Sequence, residues 1–436
     1  MAAGMGLGVV KAMASPAVVW PAPDYATAAA SVRDLFVSLG LDPANPLGRW
    51  IQPGMTVIVK PNWVKHEFGS TVGRNVLFTH ASLVRALIDA ALAALAGKGR
   101  VFVVDAPLQG CDFARLRRQN GLAELEKDYA RAPVAFLDLR QQWAEIDDAS
   151  SYVRWVHPLA GDPNGYSLVA LGERSRLVCF GVNARFGVTD YSARQSQSPH
   201  CYPVSNTVLG ADLILNVPKL KTHMKTGMTG ALKNFVGIIG SKDFLPHFRA
   251  GSPRAGGDEY PDKNWLSRAA SPVRELLQTR APLWMWKLAR TGARLGTSPL
   301  IHGGGWRGND TLWRTIHDLV DIARNYDVGG VPRVHPRTIL TLVDAIVAGE
   351  DCGPLKPRPK PCGVLVWGED PGVVDVTCAT LMGFDWRRIP LLSHLCDAEA
   401  RAFTAFSGET PTVPTSAPPF AAPVGWAGEI EAARKE

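Results

Sequence analysis

Short runs of β-branched and aliphatic residues alternate along this chain with longer stretches of helical periodicity, which is the pattern of an α/β fold. Residues 17–20 (AVVW) read as a first strand and residues 26–39 as an amphipathic helix. The Pro53-Gly54 turn leads into a strand at 55–59 that ends on Lys60, Pro61 and Asn62. Thr79 is placed to cap a helix over 82–95, stopped by Gly97 and Gly99. Apolar runs at 101–104 and 134–139 predict buried strands that deliver Asp105 and Asp138. Residues 141–205 are less regular and predict an insertion or a small antiparallel unit. Regularity returns with a strand at 211–217 running into Pro218, then a glycine-rich stretch to Gly240. Further on, the pattern predicts helices over 266–294 (with Trp284 and Trp286) and 311–325 (capped by Asp310), and strands at 339–347 and 364–367.

The expected architecture is therefore a mixed, largely parallel sheet with flanking helices. A single domain over residues 10–400 is expected, in lobes of 10–145 and 205–400 with an irregular insertion at 146–204. The Pro/Ala-rich segment 408–436 has little to bury and is expected to be a mobile tail.

Composition narrows the function classes. The net charge of +7 suits an acidic ligand, but the basic residues are scattered rather than gathered in one tract, so nucleic-acid binding is not expected. The seven cysteines form no CxxC pair, which argues against a zinc knuckle or a ferredoxin-type cluster. No run approaches the roughly 20 apolar residues of a membrane helix. Lys11 and Pro16 interrupt the apolar N-terminus, so a cytoplasmic location is expected.

Candidate chemistry concentrates in residues 212–247, DLILNVPKLKTHMKTGMTGALKNFVGIIGSKDFLPH. Lys219, Lys221, His223, Lys225 and Lys233 follow a strand that ends on Pro218, and Gly227, Gly230, Gly237 and Gly240 let the backbone approach a ligand. Lysines and backbone N–H groups at strand ends suit a phosphate or carboxylate, although the spacing is not that of a P-loop. Lys233 lies between Ala231-Leu232 and Phe235-Val236, so a half-desolvated ammonium with a depressed pKa is expected there. Lys233, His223 and His247 are the candidate proton-transfer or nucleophilic groups. Lys60, Asn62, Asp105, Lys219, Lys221, Gly230, Asn234, Asp344 and Asp375 are the candidate ligand-binding residues. Several are strand-end groups, and in open α/β sheets ligands bind beyond the carboxyl ends of the strands. A solvated basic loop and helix-capping carboxylates are the competing structural readings.

Several segments together resemble the domain of unknown function 362 family. They are VIVKPNWV (57–64), VFVVDAP (101–107), LILNVPKLKTHMKTGMTGALKNFVG (213–237), LPHFRAGSPRAGGDEYP (245–261), WRGNDTLWRTIHDL (306–319), LTLVDAIVAGEDCGPLKP (340–357) and GVLVWGEDPGVVDVTCATLMGF (363–384). The resemblance implies an α/β protein but no particular reaction. Some members of that family carry iron–sulphur domains and many carry twin-arginine export signals; this chain lacks the cysteines of such a cluster, and its N-terminal sequence carries no twin-arginine pair, so neither feature is expected. The pattern GMTGALKNFVG…H is also similar to a segment of the lactate racemase family, whose lysine anchors a nickel-pincer nucleotide and whose downstream histidine binds the metal. That likeness implies Lys233 as anchor and His247 as metal ligand, but Ala231-Leu232 stand where that family has glycines.

The expectation from sequence is an enzyme acting on a small anionic or nucleotide-bearing molecule held by the Lys/Gly-rich loop opposite strand-end carboxylates. A non-catalytic binding or assembly protein using the same loop is the alternative, and a metal- or nickel-pincer-dependent, racemase-like enzyme the second.

Overall fold

The computed structural model describes residues 16–146, 153–180, 200–263, 301, 303–414 and 419–433. The helix expected over 266–294, with Trp284 and Trp286, lies outside the described residues, as does much of the insertion.

Nine strands form one sheet: β1 (Val18–Pro21), β2 (Thr56–Pro61), β3 (Arg100–Asp105), β4 (Val134–Asp138), then, after the four strands of the insertion, β9 (Leu213–Val217), β10 (Lys219–His223), β11 (Gly227–Thr229), β12 (Thr338–Glu350) and β13 (Arg358–Gly368). The insertion holds two antiparallel pairs, β5 (Gln142–Ile146) with β6 (Val153–Pro158) and β7 (Tyr166–Ala170) with β8 (Cys201–Ser205). The main order is β1-β13-β12-β9-β2-β3-β4. The run β12, β9, β2, β3, β4 is parallel throughout, while β13 and β1 add an antiparallel edge. The sheet is thus mixed and largely parallel, and it interleaves strands from both ends of the chain.

The parallel strands are buried on both faces, as their near-continuous apolar sequences require. Side chains alternate across the sheet, so Val57 and Val59 enter one core and Ile58 the other. Helices α1 (Ala28–Ser38), α2 (Ala81–Leu95), α3 (Phe113–Gln119) and α4 (Leu122–Asp128) cover the first face with Leu35, Leu87, Leu116 and Leu125. Helices α5 (Leu312–Asn325) and α6 (Pro371–Leu381) cover the second with Ile316 and Val374, joined by Phe235 and Ile238 from the glycine-rich stretch. Each such side chain contributes about 1.5–3 kcal/mol by leaving water. Among the described residues, no helix is long and apolar enough to cross a membrane.

One local feature positions the site. The 13-residue β12 pairs with β9 along its first half and with β10 along its second. Pro218, lacking an N–H, separates the two partners, and its carbonyl accepts from the Asp344 amide at 2.8 Å. Lys219 therefore sits directly beside Asp344.

Several sequence-based expectations need correction. Thr79 does not cap α2: His80 does, accepting from the Ser82 amide, while Thr79 Oγ1 donates to the Val217 carbonyl and accepts from the Asn62 amide. Asp310 does not cap α5; Asn309 Oδ1 accepts from the Thr311 and Leu312 amides, and Asp310 serves Trp313 and Arg314. Asp344 is not a strand-end group, being central in β12. The tail expected to be mobile is docked in its described part, because Phe420, Trp426 and Ile430 are large apolar anchors within the Pro/Ala background, each buried.

Candidate functional site

The carboxyl ends of β2 and β3 and the β9–Pro218–β10 junction bring together most of the residues singled out in the sequence. Lys60, at the end of β2, is fully buried, and its Nζ donates to Asp105 Oδ1 at 2.7 Å and to the Pro61 carbonyl at 2.9 Å. Asp105, ending β3, also accepts from the Trp63 and Ala106 amides at 2.6 and 2.9 Å. Three accepted hydrogen bonds satisfy a carboxylate that has left water, as its burial demands.

Lys219 and Asp344 make the second ion pair, 3.1 Å apart and fully buried. Tyr25 completes it. Its hydroxyl accepts from Lys219 Nζ at 2.5 Å, donates to Asp344 Oδ1 at 3.0 Å, and its ring stacks on His80. For both lysines burial pulls the pKa down and the paired aspartate pulls it back up. Pairs of this kind gain little overall, but removing one partner leaves a stranded charge.

Asn234 ties the glycine-rich stretch to the sheet. Its amide nitrogen donates to the Lys60 carbonyl and to Asn216 Oδ1, and its oxygen accepts from Asn62 at 3.2 Å. Asn216 in turn donates to the Ala231 carbonyl at 3.0 Å. Asp375, on α6, is fully buried and accepts from the Ala231 and Leu232 amides at 2.5 and 3.0 Å. Burial pushes the Asp375 carboxyl up to about 7, with those two amides pulling down. Asp375 therefore clamps the loop backbone from behind rather than facing a ligand, and Gly230 is there because a Cβ would collide with its carboxylate. Gly237 answers the same need at the ion pair, where a Cβ would strike Asp105 Oδ1 and crowd Lys60 Nζ.

The loop carries charge of a different kind. Lys221, fully buried, has only neutral acceptors, Asn62 Oδ1 at 3.0 Å and the Leu77 carbonyl at 2.9 Å. Burial, Lys219 and Lys233 hold its ammonium well below the usual lysine range. Lys233 opens the 3₁₀ segment Lys233–Ile238 and is half-buried. Among the described residues its Nζ has no hydrogen-bond acceptor and no ion-pair partner. Burial pulls it down to about 8, with Asp105 drawing it up and Lys60 pushing it down. Lys242, half-buried, donates to the Val236 carbonyl at 3.1 Å. Burial takes it to about 7, with Lys60, Arg140 and Lys233 pushing the same way and Asp105 opposing.

The two histidines complete the group and take opposite tautomers. His223 Nδ1 accepts from the Lys225 amide at 3.1 Å, so its neutral ring carries the proton on Nε2. His247 Nδ1 donates to the Leu245 carbonyl at 2.7 Å, which leaves Nε2 as a bare acceptor. Burial holds both neutral: His223 is well below the usual range, with Lys233, Lys225 and Lys221 adding to the effect, and His247 falls to about 3, with Lys225 and Lys233 contributing. Hydrogen bonds link Lys221, through Asn62 and Asn234, and Lys242, through the Val236 carbonyl, to the segment that Lys233 opens, and the Lys233 charge acts on both histidines.

Sequence reasoning missed Lys242, Tyr25, Asn216 and Thr79. Lys242 lay in plain view, two residues past Gly240, and belonged with the other lysines of that stretch. Tyr25 gave no signal, since its partner is 319 residues away. Nothing in the structure supports the expectation of His247 as a metal ligand: among the described residues there is no group of three or more His, Cys, Asp or Glu that could hold a metal ion. Lysine charge around His247 opposes a cation there in any case.

A family model described as a domain of unknown function, DUF362, matches residues 57–160 and 157–380. No curated protein and no solved structure matches the chain.

Proposed function

Starting from the chain's membership of the domain of unknown function (DUF362) family, we propose that it is an enzyme acting on a small anionic molecule held by the loop between β10 and His247. The observation that carries this reading is a surplus of positive charge drawn out of water, fully at Lys221 and by about half at Lys233 and Lys242. Lys60 and Lys219 have aspartate partners, whereas Lys221, Lys233 and Lys242 share the site without one. Desolvated ammonium groups with depressed pKa values are costly in the free protein. A phosphate or carboxylate seated among them would supply the missing negative charge and restore full protonation. Enzyme chemistry is favoured over simple binding by the two histidine tautomers, which offer one N–H donor and one bare nitrogen acceptor, both under the influence of the same lysine's charge.

The test is thermal unfolding of the full chain with sulfate or pyrophosphate against chloride at matched ionic strength. Binding to the folded state should raise Tm, by the equivalent of about 2.7 kcal/mol at a hundredfold excess over Kd. Lys233→Met should abolish the rise and exposed Lys98→Met should keep it. Equal rises in all three proteins would refute the site. For the catalytic part, Lys233→Ala should lose turnover of the substrate once that is found, and His247→Gln should lose turnover while retaining the anion-dependent rise.

A further inference from the structure

Five lysines converge on the site, and four of them are committed. Lys60, Lys219, Lys221 and Lys242 each donate to a named oxygen at 2.5–3.1 Å. Lys233 alone among these five has no acceptor. Its main chain is nevertheless held firmly: Asp375 binds the two preceding amides, and the side chain of the following residue, Asn234, is fixed by Lys60, Asn62 and Asn216. A rigidly based, uncommitted amine is unusual for a residue whose only task is to neutralise charge.

The groups around it have complementary chemistry. Lys221 and Lys242 supply positive charge for an anion, His223 presents an Nε2–H donor, and His247 presents a bare Nε2 acceptor. That set is what imine formation with a carbonyl compound requires: an anchor for the acid group, a donor for the carbonyl oxygen, and an acceptor for the proton in transit. We propose that Lys233 is a nucleophile that forms a Schiff base with a carbonyl-bearing anion of the 2-oxo acid class, an inference that rests on the anion-site reading above.

The steps balance as follows. The neutral Lys233 amine attacks the carbonyl carbon, and one amine proton passes to the carbonyl oxygen, giving a carbinolamine. A second proton, taken up from the surrounding acid groups, lets that oxygen leave as water, and the nitrogen lone pair closes the C=N⁺ bond. The iminium cation so formed lies beside the acid group of its own substrate, which limits the added charge. In the free protein burial and the Lys60 charge lower its pKa to about 8, and the ammonium favoured once the acid group is seated gives its proton to the bare Nε2 of His247 before attack, a proton then available to the leaving oxygen.

The experiment treats the full chain with pyruvate or glyoxylate and cyanoborohydride near pH 8, followed by intact mass and peptide mapping. At that pH a lysine of pKa about 8 has a neutral fraction roughly a hundredfold above that of an ordinary surface lysine. The expected result is one reduced adduct on Lys233, in at least about tenfold excess over any other lysine after allowing for the lower intrinsic nucleophilicity of a low-pKa amine. Lys233→Arg should remove it, Lys98→Arg should retain it, and sulfate should protect. Label scattered over exposed lysines, or seated on Lys242 with Lys233 unmodified, overturns the proposal. Should Lys233→Arg not fold, the peptide map of the unaltered chain decides alone. An anion-dependent rise in Tm without an adduct on Lys233 overturns the nucleophile and leaves the anion site standing. An adduct on Lys233 that sulfate neither protects nor accompanies with a rise in Tm overturns the anion site instead.

Discussion

Lys60 and Lys219, carried by the sheet, each have a carboxylate within 2.7 and 3.1 Å, whereas Lys233 and Lys242, carried by the loop that closes over them, have none. All four are removed from bulk water to some degree, so the difference is one of charge balance rather than burial alone. The sheet pairs are self-contained and fix the geometry of the strand ends. The loop lysines are left electrostatically incomplete, and it is this incompleteness that a ligand can relieve. A structural ion pair and a binding group can thus be told apart by their partners when burial does not separate them.

The widest separation between the halves should appear in stability. Lys60→Met strands Asp105 in the core and should cost about 3–5 kcal/mol in chemical denaturation, with Lys60→Met/Asp105→Leu recovering much of the loss. Lys233→Met, which removes a half-buried charge with no partner, should leave stability unchanged or raise it by up to about 1 kcal/mol. A loss at Lys233 as large as that at Lys60 would erase the distinction.

The sheet half was legible in the sequence because local pattern and strand-end placement fixed it. Lys60, Asp105 and Lys219 each follow or adjoin an apolar run, and parallel strands deliver their ends to one edge. What was not legible came from distant pairings. Tyr25 reaches Asp344 across 319 residues, Asp375 turns out to clamp a loop from a helix, and the cap of α2 passes from Thr79 to His80 because Thr79 is bonded to Val217 on a neighbouring strand. The tail was misjudged for a related reason: composition averaged over 408–436 hides three anchors, of which Trp426 donates to the Met224 carbonyl at 2.6 Å and lies 3.2 Å from where a Cβ on Gly227 would sit. Gly227, at φ +78°, pairs with His223, so the tail braces the loop half of the site.

Trp426→Ala should therefore destabilise by about 3–5 kcal/mol in denaturant unfolding. It should also weaken sulfate binding more than any sheet-core substitution of equal cost does. Unchanged stability would mean the tail does not brace the loop. Gly237→Ala is a smaller probe of the opposite half: the added methyl presses on the Lys60–Asp105 pair and should cost about 1–3 kcal/mol, measured the same way. A neutral result would show that the pair has room to move.

The smallest effect is in pH dependence. Lys242 is held near 7 in the folded chain and titrates near the ordinary lysine value when unfolded, so between about pH 7 and 10 the unfolded state binds more protons. Its contribution makes stability rise with pH across that window, and below it the cost of the buried charge is fully present. Lys242→Met should flatten the rise by on the order of 1 kcal/mol, since the group is only half-buried and partly screened. A slope equal to that of the unaltered chain would place Lys242 in ordinary solvent.

Proton uptake on anion binding tests the central claim most directly. Sulfate does not itself titrate near pH 8, so calorimetric titrations in two buffers of different ionisation enthalpy count the protons taken up by the protein. If Lys233 and Lys242 stand without negative partners until the anion arrives, binding at pH 8 should draw in close to one proton or slightly more, following from their values of about 8 and 7. Lys233→Met/Lys242→Met should bind sulfate weakly and take up none. Sulfate binding with no proton uptake, or with uptake unchanged in the double variant, would contradict the account.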